Sequence, residues 1–423
     1  MNSPKVVRYA SALIYSSFIL IPFAASFSSA LVNVLIGAAV FAFFLKKALL
    51  REGIIKEKIP ILIPFLLILL LSLLSFENSV SLRASLQGIG KLLKYLILVV
   101  LFAEEVKDVA HAKRIVTGIL LGLLLASCDG ICQLYTGFDF LRHRTVMLVR
   151  RDPELPSTMQ INVPRITAAF LHPNMFGLYL GIFLPLSISV TLYAYQGRQK
   201  MFGLMTSTVA LFCLLFTFSR GSFAGFLAAL LFMALIKKDR VLLGALILMM
   251  VVTPFILPHE IKKWAGTKQT VWEFLLSTKR IGDWRNASNM IRHHPFLGVG
   301  VNTYTLNFEK YKLRDGSRFV SDTGWSHNSY LQMAAEIGIF GPLLFFWLIF
   351  RLFRSALATY RKQEENFLKA ATLGILGGVI AYRVNGMTET ALYYSKMVSL
   401  FWIQIGFLSA MPKLIKSSQK GYP

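Results

Sequence analysis

The sequence predicts an all-α integral membrane protein of about twelve transmembrane helices with one long, partly helical outer loop. Three observations carry that prediction. Hydrophobic residues make up 55% of the 423-residue chain, the mean hydropathy is +0.58 and only 16% of residues are charged, a balance suited to lipid rather than water. The apolar residues fall in separate runs of helical length. Lysine and arginine collect in every second link between those runs.

A hydrocarbon core about 30 Å thick calls for roughly 20 apolar residues per helix. The runs lie near 9–26, 29–45, 59–76, 89–103, 115–135, 174–196, 202–218, 222–236, 241–258, 337–353, 367–383 and 394–411. The first is too long for a signal peptide and lacks a small-residue cleavage site, so it reads as a retained helix. Cytoplasmic links carry the excess of Lys and Arg. With the N-terminus (Lys5, Arg8) inside, the basic clusters at 46–58, 107–114, 198–200, 237–240, 351–369 and 413–420 all fall on the cytoplasmic side. Both termini are then cytoplasmic. The chain divides into helices one to nine over 1–258, with a basic outer loop near 136–173, an outer loop over 259–328, and helices ten to twelve over 329–423.

The formal net charge of +24 does not indicate nucleic acid, because anionic lipid and topology already account for most of the inside lysines and arginines. The outer loops are more informative. Residues 259–328 hold eleven Lys or Arg against six acids, and the earlier loop adds Arg142, Arg144, Arg150, Arg151 and Arg165. Such a surface favours anionic partners such as phosphates, although an ordinary solvated loop with surplus charge has the same composition. Cys128, Cys132 and Cys213 lie in apolar runs and read as small buried hydrophobes. No ligand spacing for a metal and no phosphate-cradling glycine loop is present, so no metal and no cofactor is expected.

What the topology gathers at the outer face is a set of polar residues. Arg165 precedes His172-Pro173-Asn174, which enters the sixth run. Phe218-Ser219-Arg220-Gly221 is the outer turn between the seventh and eighth. Arg280 and Arg285 open an amphipathic stretch that ends in the turn-rich passage His294 to Asn302. His327-Asn328 closes the loop, and Arg383, Asn385 and Glu389 sit in the last outer link. Plainer readings stand beside these. Arg220 reads equally as an interfacial arginine reaching lipid phosphates, His172-Pro173-Asn174 as a helix start, and His293 and His294 as surface residues flanking a proline turn.

His327-Asn328, nine intervening residues, Gly338, two residues and Gly341 resemble the signature of the O-antigen ligase and O-antigen polymerase superfamily, membrane glycosyltransferases of the C type. Arg165 with His172-Pro173-Asn174 and Gly177, the Ser219-Arg220-Gly221 turn, and Arg280 with Trp284, Pro295, Gly298 and Gly300 are similar to its other motifs. The resemblance spans roughly 165–345 in motifs. It implies a C-type glycosyltransferase fold, a donor glycan on undecaprenyl diphosphate, and a periplasmic site in the inner membrane of a Gram-negative cell.

On that resemblance, Arg220 and Arg280 are the candidates to hold the donor diphosphate, with Arg165 and Arg285 behind them, since arginine presents a planar fork of donors that stays ionised near lipid. His327 is the candidate base for the acceptor hydroxyl, because histidine ordinarily titrates near neutral pH. His172, Asn174 and Asn328 are further candidate site residues. Glu389 is a candidate to orient His327 or bind a sugar hydroxyl. Gly338 and Gly341 read as positions of close helix approach. The preferred function is metal-independent, inverting transfer of a glycan to lipid A–core by an O-antigen ligase, with membrane lipids as surroundings. A polymerase joining repeats on the same carrier and a protein-glycosylating ligase remain open. So does a transporter of lipid-linked glycan, though no repeat relates the two halves.

Overall fold

A computed structural model of the chain describes residues 3–150, 162–256, 278–314 and 323–419. The architecture is all-α and membrane-spanning. Among the described residues, ten helices are long and apolar enough to cross a bilayer, and two shorter apolar helices stand where the third and ninth spans were expected. In chain order the helices are α1 (Ser3–Ala24), α2 (Ser29–Leu50), α3 (Leu62–Leu74), α4 (Leu82–Glu105), α5 (Val109–Thr136), α6 (Pro173–Tyr193), α7 (Gly197–Phe216), α8 (Arg220–Lys237), α9 (Arg240–Ile256), α10 (Thr278–His293), α11 (Tyr304–Tyr311), α12 (Ser329–Ile337), α13 (Phe340–Lys362), α14 (Asn366–Asn385) and α15 (Ser395–Gln419). A two-stranded antiparallel ribbon, β1 (Met147–Arg150) and β2 (Asn162–Arg165), pairs Met147 with Arg165. At roughly 1.5 Å per residue, α3 with 13 residues falls short of a full span.

Local chemistry sets several boundaries. Ser28, Ser81 and Asp108 accept backbone N–H bonds at the starts of α2, α4 and α5, and Gly137 ends α5 at φ 83°. The predicted tenth run at 337–353 is α13, and a separate short helix precedes it: α12 ends at Ile337, Gly338 at φ 79° breaks the helix, and α13 begins two residues later. A Cβ at Gly338 would collide with the Phe296 carbonyl, so only glycine fits there.

The helices α6, α14 and α15 form the interior, with most of their residues buried. Small residues let them approach: a Cβ at Gly378 would overlap the backbone of Ile182, and one at Gly225 the backbone of Ala381. α1 packs on α2 and α5, α15 on α4, and α13 on α3.

Two expectations change. α2 runs five residues beyond the predicted 29–45. Lys46 and Lys47 are therefore buried in its last turns and pair with Glu105 (2.5 Å) and Glu104 (2.8 Å), instead of lying in a solvated link. Of the cysteines, Cys213 is buried, but Cys128 is exposed on α5, because only part of a membrane helix faces protein and an apolar run does not say which part.

Candidate active site

The centre of the site is a carboxylate. Glu389 lies in the link between α14 and α15, and its side chain is 4% exposed. Oε1 accepts from Asn174 Nδ2 at 2.6 Å and is paired with Arg280 Nη2. Oε2 faces His327 Nδ1 at 3.4 Å and the Tyr394 hydroxyl at 3.5 Å. Three separate stretches of chain thus converge on the acid, and Tyr394 of its own link joins them. Burial alone would raise its carboxyl pKa, but the hydrogen bond from His327 and the charge of Arg280 hold it below the usual carboxylate value.

Backbone contacts explain why these groups meet. The Ser329 N–H donates to Gly386 O at 2.8 Å, and its hydroxyl donates to Glu389 O at 2.9 Å. Those bonds fasten the start of α12 to the α14–α15 link and set His327 beside Glu389. Asn328 caps α12, its Oδ1 accepting from the N–H groups of Tyr330 (3.0 Å) and Leu331 (3.1 Å). His327, just before the cap, has φ 46° and a side chain 26% exposed. With Nδ1 turned to the carboxylate, Nε2 is the ring nitrogen left to take a proton.

Arg280 is positioned by a small core of its own. Ala287 and Met290 of α10, Val299, Tyr304 and Phe308, Tyr311, and Ala335 of α12 pack together. Asn289 Nδ2 donates to Tyr311 O at 2.8 Å, and the Leu313 N–H donates to Asn286 Oδ1 at 3.0 Å. Gly298 and Gly300, at φ 66° and 107°, let the following loop run against the end of α12, where the Val299 and Gly300 N–H groups bond to Ala335 O and Glu336 O. Arg285 is five residues from Arg280 on α10, about 140° around the helix, so the two leave it in different directions.

Arg165 has a different task from a free clamp. Its Nε donates to Thr217 O at 2.9 Å and its Nη2 to Asn174 Oδ1 at 3.0 Å, so it closes the end of α7 and orients the amide that holds Glu389. Burial, then the nearby Arg220 and Arg280, lower its pKa from the ordinary value. Three guanidinium groups are therefore gathered. Arg220 is exposed at the first position of α8. The Ser219 and Ser222 hydroxyls meet at 2.9 Å, and Asn385 Nδ2 donates to Ser222 Oγ at 2.9 Å, which ties this turn to the end of α14.

The remaining candidates are peripheral. His172 is exposed at the start of α6, where its carbonyl, not its ring, accepts from Met175 and Phe176. Gly341 sits under Ile337 and Met333, one turn into the bend from Gly338. Arg383, expected in the outer link, lies in the last turn of α14, buried between Tyr330 (4.3 Å) and Phe345 (3.9 Å).

Sequence reasoning missed Tyr394 and Ser329. Ser329 adjoins the His-Asn pair, but nothing in its spacing announces a bond to a link 60 residues away. It also missed Glu336, a buried acid that accepts from the Asn302 N–H (2.8 Å) and the Tyr393 hydroxyl (3.2 Å).

Comparison with curated proteins gives no match. Residues 204–346 match the family model described as O-antigen ligase. That stretch contains Arg220, Arg280, Arg285, His327, Gly338 and Gly341, whereas Arg165, His172, Asn174 and Glu389 lie outside it. This segment, set within an all-α membrane architecture, is similar to the O-antigen ligase family.

Proposed function

We propose that this chain is an O-antigen ligase that transfers a glycan from undecaprenyl diphosphate to lipid A–core at the periplasmic face of a Gram-negative inner membrane, without a metal ion. The observation that carries the reading is the Glu389 carboxylate, which joins His327, Arg280 and Asn174. One acid thus links a candidate base to a candidate phosphate clamp.

The chemistry follows from those groups. The acceptor hydroxyl oxygen attacks the anomeric carbon, and the bond from that carbon to the diphosphate oxygen breaks with its electron pair remaining on the diphosphate. The hydroxyl proton passes to His327 Nε2. Attack opposite the leaving group inverts the anomeric centre. Glu389 holds the imidazole by its other nitrogen and stabilises the imidazolium that forms, while Arg220 and Arg280 stabilise the charge growing on the diphosphate. Arg280 has five N–H donors, so pairing with Glu389 leaves others for phosphate oxygens. Arg165 acts as a positioning residue through Asn174, and Arg285 is the weaker clamp candidate.

The test is the lipopolysaccharide of a cell lacking this protein, blotted for the glycan on lipid A–core and on undecaprenyl diphosphate, then complemented with wild type or His327→Ala. Loss of all glycan from lipid A–core with polymer accumulating on the carrier supports the ligase. A single repeat still capping the core makes the protein a polymerase. Full complementation by His327→Ala at equal protein level removes the base from the mechanism.

A further inference from the structure

A second group of cations flanks the site and takes no part in the network around Glu389. After α5 the chain turns over two buried acids. Asp139 accepts from the N–H groups of Arg142 (2.6 Å) and Arg144 (2.7 Å), and Asp129 Oδ1 accepts from those of Phe140 (2.9 Å) and Leu141 (3.2 Å). Both carboxylates thus hold the backbone of the turn. The side chains of Arg142, exposed, and Arg144, half-buried, make no ion pair among the described residues.

Lys396, in the first turn of α15, approaches the same place from the far end of the chain. Its ammonium lies over the Phe170 ring at 4.0 Å, and Gln133 Nε2 donates to both the Arg144 carbonyl (3.2 Å) and the Thr167 hydroxyl (3.0 Å), which sets the Arg142–Arg144 turn beside the segment that carries Phe170; the ammonium too makes no ion pair among the described residues. Three cations gathered in this way repel one another. A tetrahedral dianion between two guanidinium forks and an ammonium relieves that repulsion and takes up their donors. The cluster adjoins the site through both of its walls. Phe170 lies in the segment that joins Arg165 to α6, and Lys396 follows Tyr394 by two residues.

We propose that Arg142, Arg144 and Lys396 form a second phosphate-binding site, which holds a phosphate group of the acceptor while its hydroxyl lies at His327. The phosphate site stands on the cation cluster alone; its assignment to the acceptor rests on the ligase reading.

The test uses the full-length protein in phosphatidylcholine nanodiscs. Binding of lipid A–core is measured with its phosphates intact and after enzymatic dephosphorylation, for wild type, Arg142→Gln/Arg144→Gln, Lys396→Met and Lys396→Arg, each checked by thermal unfolding. Losing a charge-assisted hydrogen bond costs about ten-fold or more in affinity. The site is supported if the first two variants weaken binding of the phosphorylated form by about that factor, leave the dephosphorylated form unchanged, and Lys396→Arg restores it. Equal weakening of both forms overturns it, and so does unchanged binding of both lipid A–core and phosphatidylglycerol. Phosphatidylglycerol added to the discs separates the two sources of phosphate. If the variants lose its binding and keep that of lipid A–core, the phosphate site stands and its assignment to the acceptor falls. Donor glycan is then supplied to wild type in the same discs. Absence of transfer, with phosphate-dependent binding intact, sinks the ligase reading and leaves the second site standing.

Discussion

Replacing Glu389 by glutamine tests the central acid with little change in shape. The amide oxygen can still accept from Asn174, as Oε1 does at 2.6 Å. What disappears is the negative charge facing His327 and Arg280, at a side chain only 4% exposed, where water screens little. A hydrogen bond to a charged partner contributes about 1.5–3 kcal/mol. Loss of the one to His327 predicts a fall in kcat of roughly ten- to a hundred-fold. Because Glu389 acts on the proton transfer through His327, the effects overlap: Glu389→Gln/His327→Ala is expected to have the kcat of His327→Ala alone. The assay is single-turnover glycan transfer by purified protein at saturating donor, beside a thermal melt that reports folding. A Glu389→Gln enzyme with wild-type kcat, or a double variant whose loss is the product of the two single losses, would refute the coupling.

Three further outcomes follow from the geometry. Arg280→Lys keeps the charge but loses the fork; it should raise KM for the undecaprenyl diphosphate donor about ten-fold with a smaller change in acceptor KM, read from initial rates. Gly338→Ala puts a Cβ at φ 79° against the Phe296 carbonyl; the expected cost is about 1–3 kcal/mol or more, seen as a lower Tm. Burial pushes the Glu336 carboxyl pKa from 4.5 up to about 7 in spite of its hydrogen bonds. The folded state therefore binds a proton that the unfolded state has lost between those values, so the stability this group contributes is fully present below pH 4.5, declines as pH rises through 4.5 to 7 and is gone above. Glu336→Gln should flatten that part of the Tm profile, and an unchanged slope would show that another group is responsible.

The membrane architecture was legible because apolar runs and Lys/Arg alternation report directly on the solvent of each segment. The limits came where neighbours decide. Nothing in the run 29–45 says that two further lysines belong to the helix, since their burial depends on Glu104 and Glu105 far along the chain. Gly338 was singled out as a close-approach position, and it is also the break that divides α12 from α13. Among the site candidates, Arg280, His327, Asn174 and Glu389 meet in one network, yet no local pattern distinguishes them from His172, which remains at the surface. Arg383 shows the same limit: an arginine near the end of an apolar run suits an aqueous link as well as an aromatic cage, and the aromatic rings that choose the cage come from α12 and α13.

The two bonds of Ser329 give the site a mechanical frame. His327 and Glu389 are bolted to one frame, the α12 start and the α14–α15 link, so small shifts elsewhere carry the pair together and leave their spacing unchanged. Arg280 belongs to α10, whose small core takes in Ala335 of α12, so the same frame carries all three groups and the ion pair to Glu389 is a polar tie across it. On the function proposed above, a ligand that draws Arg280 toward its phosphates pulls on the carboxylate that also holds the base. Grip on the leaving group and readiness of the base are then felt through one shared acid.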